Sequence, residues 1–404
     1  MKLAKAKVMA EMAADLALRR YPAALYDRSA KGDQLPPIFC LHSVTTDWFE
    51  PLCERLARSG IRTLSCDEYL QRVVQGPSEH NDNEILLTFD DGWGQMYSVA
   101  WPLMKKHGLK GVIYLIPGRI QAGERGDPRP TLEDVWAGRC DQQVVDSRDD
   151  SDQPLCTWDE VQRMHASGVF DFQSHTHRHE RVFTGRDVIG FVTPDWLART
   201  HINDQSMWPT SAGQSFASPP LGSPLFASAP RMSGAVPVPI DPELQEMCTA
   251  FVAQSGGAGF FTDPNWRSSM DLAVRTYHRA AAEGVARPPD PIDPDSVLDI
   301  LTADLRDAKQ AIESHLPGHV VRHVAWPWGV GSDLAVQAAQ AAGYDAAYWG
   351  RLGSGLTGGR VANFKGTDPM QLARIGEDFL AMLPGKGRTS TGKLLLGKVR
   401  KNLG

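Results

Sequence analysis

Short apolar runs recur along the chain at 37–42 (PIFCLH), 84–90 (EILLTFD), 110–116 (KGVIYLI), 170–175 (FDFQSH), 321–326 (VRHVAW) and 344–349 (YDAAYW). Each has the length of one buried strand. Between them, helical spacing of apolar positions predicts helices near 48–59, 93–107, 157–167, 297–315 and 332–342. Thr157 with Glu160 makes a capping box for the third of these. Repeated strand–helix alternation predicts parallel strands covered by helices, as a barrel or an open sheet.

Two segments break the rhythm. Residues 117–156 carry Asp146, Asp149, Asp150 and Asp152 and read as a solvated loop. Residues 186–296 form a larger interruption, in which 205–242 holds eight prolines and only two charges, Arg231 and Asp241. So long a stretch without periodicity is a functional lid or a linker. Trp208, Phe216 and Phe226, with helical patterns at 243–254 and 266–283, favour an ordered cap.

At the ends, 1–24 reads as a helix with Val8, Met12 and Leu16 on one face. Residues 385–404 carry Lys386, Arg388, Lys393, Lys398, Arg400 and Lys401 with no acid, around Leu394, Leu395, Leu396 and Val399. That pattern suits a solvated tail or a peripheral contact with anionic lipid. The expected organisation is a helix and lead-in at 1–36, a barrel at 37–185 and 297–380, an inserted cap at 186–296, and a basic tail at 381–404.

Composition narrows the class. With 42% hydrophobic and 22% charged residues, the 404-residue chain has the make-up of a globular protein with a full core. A net charge of −6 argues against nucleic acid as a partner, because counterion displacement from phosphates needs a basic surface. The six cysteines include no C-x-x-C pair, so free thiols in a reducing compartment are expected. Glu11 and Asp15 interrupt any apolar core of a signal peptide, and the expectation is a cytoplasmic protein, with a location peripheral to the inner membrane as the alternative.

Two segments carry candidate chemistry. In EILLTFDDG, Asp90 and Asp91 fall at a strand's carboxyl end, where α/β folds gather ligand-binding groups. Alternation would send the two to opposite faces. They share a site only if the chain turns at once, and Gly92 permits that. A divalent cation would relieve their repulsion, and a surface turn pair is the plainer alternative. In SHTHRHE, His175 and His179 are four apart, which on a helical turn places both rings on one face for a metal. His177 would point elsewhere. His315 and His319 share the spacing, but Pro317 and Gly318 break a helix between them. His319 and His323 run into a strand, where four residues span about 13 Å, although His323 could border the site.

Together, TFDDG at 88–92 and SHTHRH at 174–179 resemble the first and second signatures of the polysaccharide deacetylase family, carbohydrate esterase family 4. The resemblance covers roughly 37–185 and 297–380. It implies a distorted (β/α)7-type barrel in which Asp91, His175 and His179 bind one divalent metal, while Asp90 is the general base. Zinc suits that set best, with Co, Ni, Mn or Fe also compatible. AWPWG at 325–329 resembles the third signature. By resemblance, Trp326, Pro327, Trp328 and Gly329 border the substrate, the Trp328 N–H helps hold the oxyanion, and the two tryptophans wall the pocket.

Two departures from the family matter. The 325–329 loop lacks the arginine many relatives carry, which makes Arg374 in MQLARIG the candidate to orient Asp90. No histidine follows His323 to serve as general acid, whereas His42 ends the first predicted strand in FCLHSV. That order resembles the circularly permuted subgroup acting on poly-N-acetylglucosamine polymers, and His42 becomes the implied acid. The function implied is hydrolysis of an N-acetyl group on an amino-sugar glycan or its precursor. Deformylation or other C–N amide hydrolysis on a lipid-linked sugar or small amide, and non-catalytic glycan binding, are the alternatives.

Overall fold

The computed structural model describes residues 2–26, 32–78, 83–120, 129–151, 153–199, 209–210, 213–214, 219–282, 292–350 and 360–403. They divide into two compact units. One comprises 1–178, 303–330 and 339–404, and the other 179–302 and 331–338.

The first unit is built on parallel strands Ile38–Leu41, Glu84–Asp91, Gly111–Leu115, Phe170–Ser174, His323–Ala325 and Ala346–Trp349, all within the six apolar runs except at Asp91. Two short pieces that periodicity does not reveal, Leu372–Ala373 and Ile375–Gly376, complete it. The first piece pairs with Tyr348 and Trp349, the second with Phe39 and Cys40. Arg374 lies between them and donates its N–H to the Trp349 carbonyl at 3.0 Å. The two pieces therefore act as one strand joining the sheet's ends, and the sheet becomes a nearly closed seven-membered ring of the type expected. One seam is thin. Only Val324 and Ser174 pair across it, while the Gln173 side chain accepts from the N–H groups of Arg322 and His323 at 3.0 and 2.9 Å.

Alternation sorts the ring's side chains. Ile38, Leu86, Val112, Tyr114, Ala346, Tyr348 and Leu372 fill the bore as one apolar cluster. One step along the same alternation come Cys40, Thr88 and Arg374, and Asp90 follows Thr88. Helices cover the outside: Thr46–Arg58 buries Phe49, Leu52, Cys53 and Leu56, an i, i+3, i+4, i+7 stripe. The capping box at Thr157 and Glu160 starts Trp158–Ala166.

Three expectations need correction. The acidic stretch within 117–156 is not a solvated loop. It forms short helices at Leu132–Trp136 and Gln142–Asp146. There Asp146 accepts from the N–H and hydroxyl of Thr46, both at 2.8 Å, and Asp149 accepts from the Gln95 N–H at 2.8 Å. These carboxylates satisfy backbone donors at neighbouring element ends, which charge counting along the chain cannot show; Asp152 lies outside the described residues. The basic C-terminal stretch is likewise no loose tail, since it contains the helix Thr391–Leu403, which buries Leu394. The N-terminal helix ends earlier than expected, at Ala17, with Met12 and Leu16 buried. Among the described residues, no helix is long and apolar enough to cross a membrane.

The second unit has its own core. Helices Pro242–Gln254 and Trp266–Ala282 bring Leu244, Cys248, Val252, Met270 and Val274 against Phe183, Phe191 and Phe226. This agrees with the ordered reading of 243–254 and 266–283. Trp208 and Phe216 lie outside the described residues. The unit starts at 179, the last residue of the histidine loop, rather than at 186.

Candidate metal and catalytic centre

Strand Glu84–Asp91 is buried throughout and ends on two consecutive left-handed residues, Asp91 (φ 73°) and Gly92 (φ 78°). A β-carbon at Gly92 would stand 2.7 Å from Leu115 Cδ2 and force that methyl aside, which adds to the preference for glycine at this angle. This turn breaks the strand's alternation and leaves Asp90 and Asp91 at one end of the ring.

The histidines arrive by a different route from the one expected. Residues 175–179 form no helical turn. His175 continues the ladder, its N–H donating to the Leu115 carbonyl at 2.7 Å, and then Thr176 (φ 67°) and His179 (φ 47°) bend the chain through left-handed conformations. Such angles are costly for residues with a β-carbon and persist where surrounding bonds hold them. The Ser174 hydroxyl accepts from Thr176 N–H at 3.1 Å, Asp304 accepts from His177 N–H at 3.0 Å, and the His177 carbonyl accepts from Gly118 N–H at 2.9 Å. The loop thus does by hydrogen bonding what a helix would have done by periodicity.

Donor atoms of Asp91, His175 and His179, all three buried, lie within 4.8 Å of one another. His175 Nε2 is 3.5 Å from Asp91 Oδ1. Three N/O donors at about 2.1 Å from a tetrahedral ion stand about 3.4 Å apart, so this spacing suits one divalent metal. Outer bonds fix the ligands: His175 Nδ1 is 2.8 Å from the Ala325 carbonyl, which leaves Nε2 for the ion, and Trp93 Nε1–H donates to Asp91 Oδ2 at 3.1 Å. His177 offers no donor to this group.

Asp90 is held separately. Arg374 grips it in bidentate fashion, Nη1 to Oδ1 at 2.6 Å and Nη2 to Oδ2 at 2.8 Å, and also donates to the Thr88 hydroxyl at 3.2 Å. The Cys40 thiol donates to Asp90 Oδ2 at 3.3 Å. Burial alone would raise the Asp90 pKa. The opposing charge of Arg374, aided by His175, the Arg374 hydrogen bonds and His42, holds it well below the usual carboxylate range. The same burial pushes the Cys40 thiol well up. His42 is exposed, and its imidazole lies within 4.8 Å of Cys40 and Asp90 donor atoms.

The 325–329 loop is placed differently from the expectation. Trp326 is fully buried, edge-on to Trp349 with ring centroids 6.0 Å apart, and so packs inside rather than walling an open pocket. Its N–H is spent on the Tyr348 carbonyl at 3.0 Å. Pro327 is buried, while Trp328 is half-buried and left-handed at φ 55°. Gly329 (φ 67°) packs so tightly that a β-carbon would stand 2.6 Å from Gly350 Cα and N. The other histidines serve elsewhere: His315 stacks on Trp158 with centroids 3.9 Å apart, and His319 Nε2 bonds to the Phe172 carbonyl at 2.5 Å. His323, at the amino end of its strand, pairs with Asp67 at 3.0 Å and does not border the site. Sequence reasoning missed Cys40 and Trp93. Both were visible as neighbours of chemistry, Cys40 two residues before His42 on a strand and Trp93 directly after the turn.

Residues 78–206 match the model of the family described as polysaccharide deacetylase. The match includes Asp90, Asp91, His175 and His179, and leaves His42, the 325–329 loop and Arg374 outside. The Bacillus subtilis (strain 168) protein YxkH, named as a polysaccharide deacetylase, is 31% identical over 88 residues. That alignment covers 20% of this chain and 31% of YxkH, so the chain spans about a third of the curated relative it matches. Among solved structures, a de-N-acetylase from Aggregatibacter actinomycetemcomitans aligns with TM-score 0.45 and 14% identity, over 89% of this chain and 97% of that one. IcaB from Ammonifex degensii aligns with TM-score 0.44 and 15% identity, over 87% and 95%. At TM-scores under 0.5 neither likeness bears on the chemistry; the ring closure and the site distances do.

Proposed function

We propose that this chain, which carries a polysaccharide deacetylase domain at residues 78–206, hydrolyses the N-acetyl amide of an amino-sugar unit in a glycan or glycan precursor. The observation that supports this best is the pairing of an Asp91–His175–His179 donor cluster with a separately clamped carboxylate, Asp90, beside it. Asp91, His175 and His179 would hold one divalent ion, for which zinc is the first choice and Co, Ni, Mn or Fe remain compatible. When bound, such an ion supplies Lewis acidity toward the acyl carbonyl and makes a water more acidic.

The protein's own groups do the rest. A carboxylate offers about four lone-pair sites. Arg374 uses two on Asp90 and Cys40 a third, which leaves one for the proton of the attacking water. Arg374 keeps Asp90 ionised and fixes its direction, so the base needs no reorganisation as the proton arrives. His42, exposed beside Asp90, can approach the leaving nitrogen and protonate it, since imidazole is suited to donation near neutrality. The half-buried Trp328 remains the candidate border of the acyl pocket, its backbone N–H the candidate oxyanion donor. The early position of His42 supports the permuted arrangement of the poly-N-acetylglucosamine-type subgroup.

Acetate and formate release should be measured from N-acetylated and N-formylated amino-sugar oligomers and their lipid-linked forms, with metal content determined in parallel. Acetate release that falls at least 100-fold in Asp90→Asn with metal retained is expected. Formate without acetate moves the reading to deformylation, and full activity in Asp90→Asn overturns the base assignment.

A further inference from the structure

Cys40 and Thr88 are registered partners on two paired strands, Asp90 stands two residues beyond Thr88, and His42 lies directly after the end of the first strand. Alternation therefore turns Cys40 and Asp90 into the same bore, where Sγ and Oδ2 meet at 3.3 Å. A ring nitrogen of His42 completes a second triad, with donor atoms of all three within 4.8 Å of one another. Its composition, one thiol, one imidazole and one carboxylate oxygen, differs from the N/N/O set of Asp91, His175 and His179. Thiolate ligands select borderline and soft ions such as Zn2+ and Cd2+ over Mg2+ or Ca2+.

We propose that Cys40, His42 and Asp90 form a second, inhibitory site for a thiophilic divalent ion. The ion takes the place of the thiol proton that now points at Asp90 Oδ2: Cys40–SH + M2+ gives Cys40–S–M+ and H+, with the proton released to solvent. Oδ2 and the His42 imidazole then occupy two further positions. Arg374 keeps its 2.6 Å bond to Oδ1, and its positive charge opposes the incoming cation. The second site is therefore weaker than the first and fills after it. Occupancy removes the lone pair of Asp90 and the imidazole of His42 from the reaction, so the inhibition, though not the binding, rests on the function proposed above.

The test is titration of the zinc-loaded full chain with Cd2+, following the ultraviolet cadmium–thiolate charge-transfer band, bound metal per chain and acetate release. One further ion per chain, a thiolate band and a parallel loss of activity are expected. Cys40→Ser should lose the band and the further ion while keeping the first ion, which also shows that it folds. His179→Ala should lose the first ion and keep the band. No band in the native chain, a band that survives Cys40→Ser (Cys140, partly exposed, would then be the ligand), or its loss in His179→Ala overturns the proposal. If the band behaves as expected but no glycan yields acetate or formate, the second site stands and the proposed function fails.

Discussion

Replacing Arg374 with methionine removes one side of a doubly hydrogen-bonded ion pair in which both partners are only 3% exposed. At an effective dielectric constant of about 20 and a charge separation of about 4 Å, the attraction is about 4 kcal/mol. Losing it strands a buried carboxylate, for which a cost of about 3–5 kcal/mol is usual. The Cys40 thiol softens the loss but carries no charge. Asp90→Asn strands the guanidinium in the same way. The double variant strands neither, so its loss should fall short of the sum of the singles by about 2 kcal/mol or more. Thermal melts in chelator, which keeps metal linkage out of the comparison, should show Arg374→Met lowered by roughly 4–9 °C, at about 1–2 °C per kcal/mol for a chain of this size. The pH dependence gives an independent sign. Asp90 is depressed in the fold, so its stabilisation is present above the unfolded carboxylate value of about 3.9 and is lost as pH falls below it. In Arg374→Met burial is unopposed, and acidification should relieve strain at Asp90 instead. A single-variant loss under about 1 kcal/mol, or an additive double variant, would refute the reasoning.

Within SHTHRH, His179→Ala should drop metal content from near one per chain to near zero, whereas His177→Ala should retain it, as read by elemental analysis of the dialysed protein. Gly329→Ala combines a left-handed φ with a backbone collision at Gly350 and should cost about 2–4 kcal/mol; an unchanged melting temperature would contradict that packing. Asp149 is pushed up to about 6, chiefly by burial against the bonds from Gln95 and Ser43 and the charge of Arg148. Its penalty is full above pH 6 and fades as pH falls toward the unfolded value near 4. Asp149→Asn keeps an acceptor for the Gln95 N–H and should stabilise the protein at pH 8. The upper limit is about 3 kcal/mol, and about half that after solvent screening of a partly exposed group. Chemical denaturation at pH 8 and pH 4.5 checks this, and equal effects at both would exclude the mechanism.

Much of the centre was legible along the chain because its parts are local. Asp90, Asp91 and Gly92 are consecutive, His175 and His179 share one loop, and each group follows a strand that periodicity marks. Six of the ring strands were legible for the same reason, since a buried strand of three to eight residues sits within a short apolar run. Two kinds of feature escaped. Leu372–Ala373 and Ile375–Gly376 are too short for any period and are interrupted by an arginine, so only their partners on both sides show them to be one strand. The path that joins His179 to Asp91 depends on left-handed angles at Thr176 and His179, with His177 between them held by Asp304 and Gly118 from distant positions, where spacing alone suggested a helix. The sequence by itself determined which residues carry the chemistry and at which strand ends they stand. Only the tertiary structure decided that Arg374 and Cys40, 284 and 50 positions from Asp90, meet on its carboxylate. The reason is ring closure: paired strands and alternation set which side chains meet in the bore, and neither register nor closure is written in any local pattern.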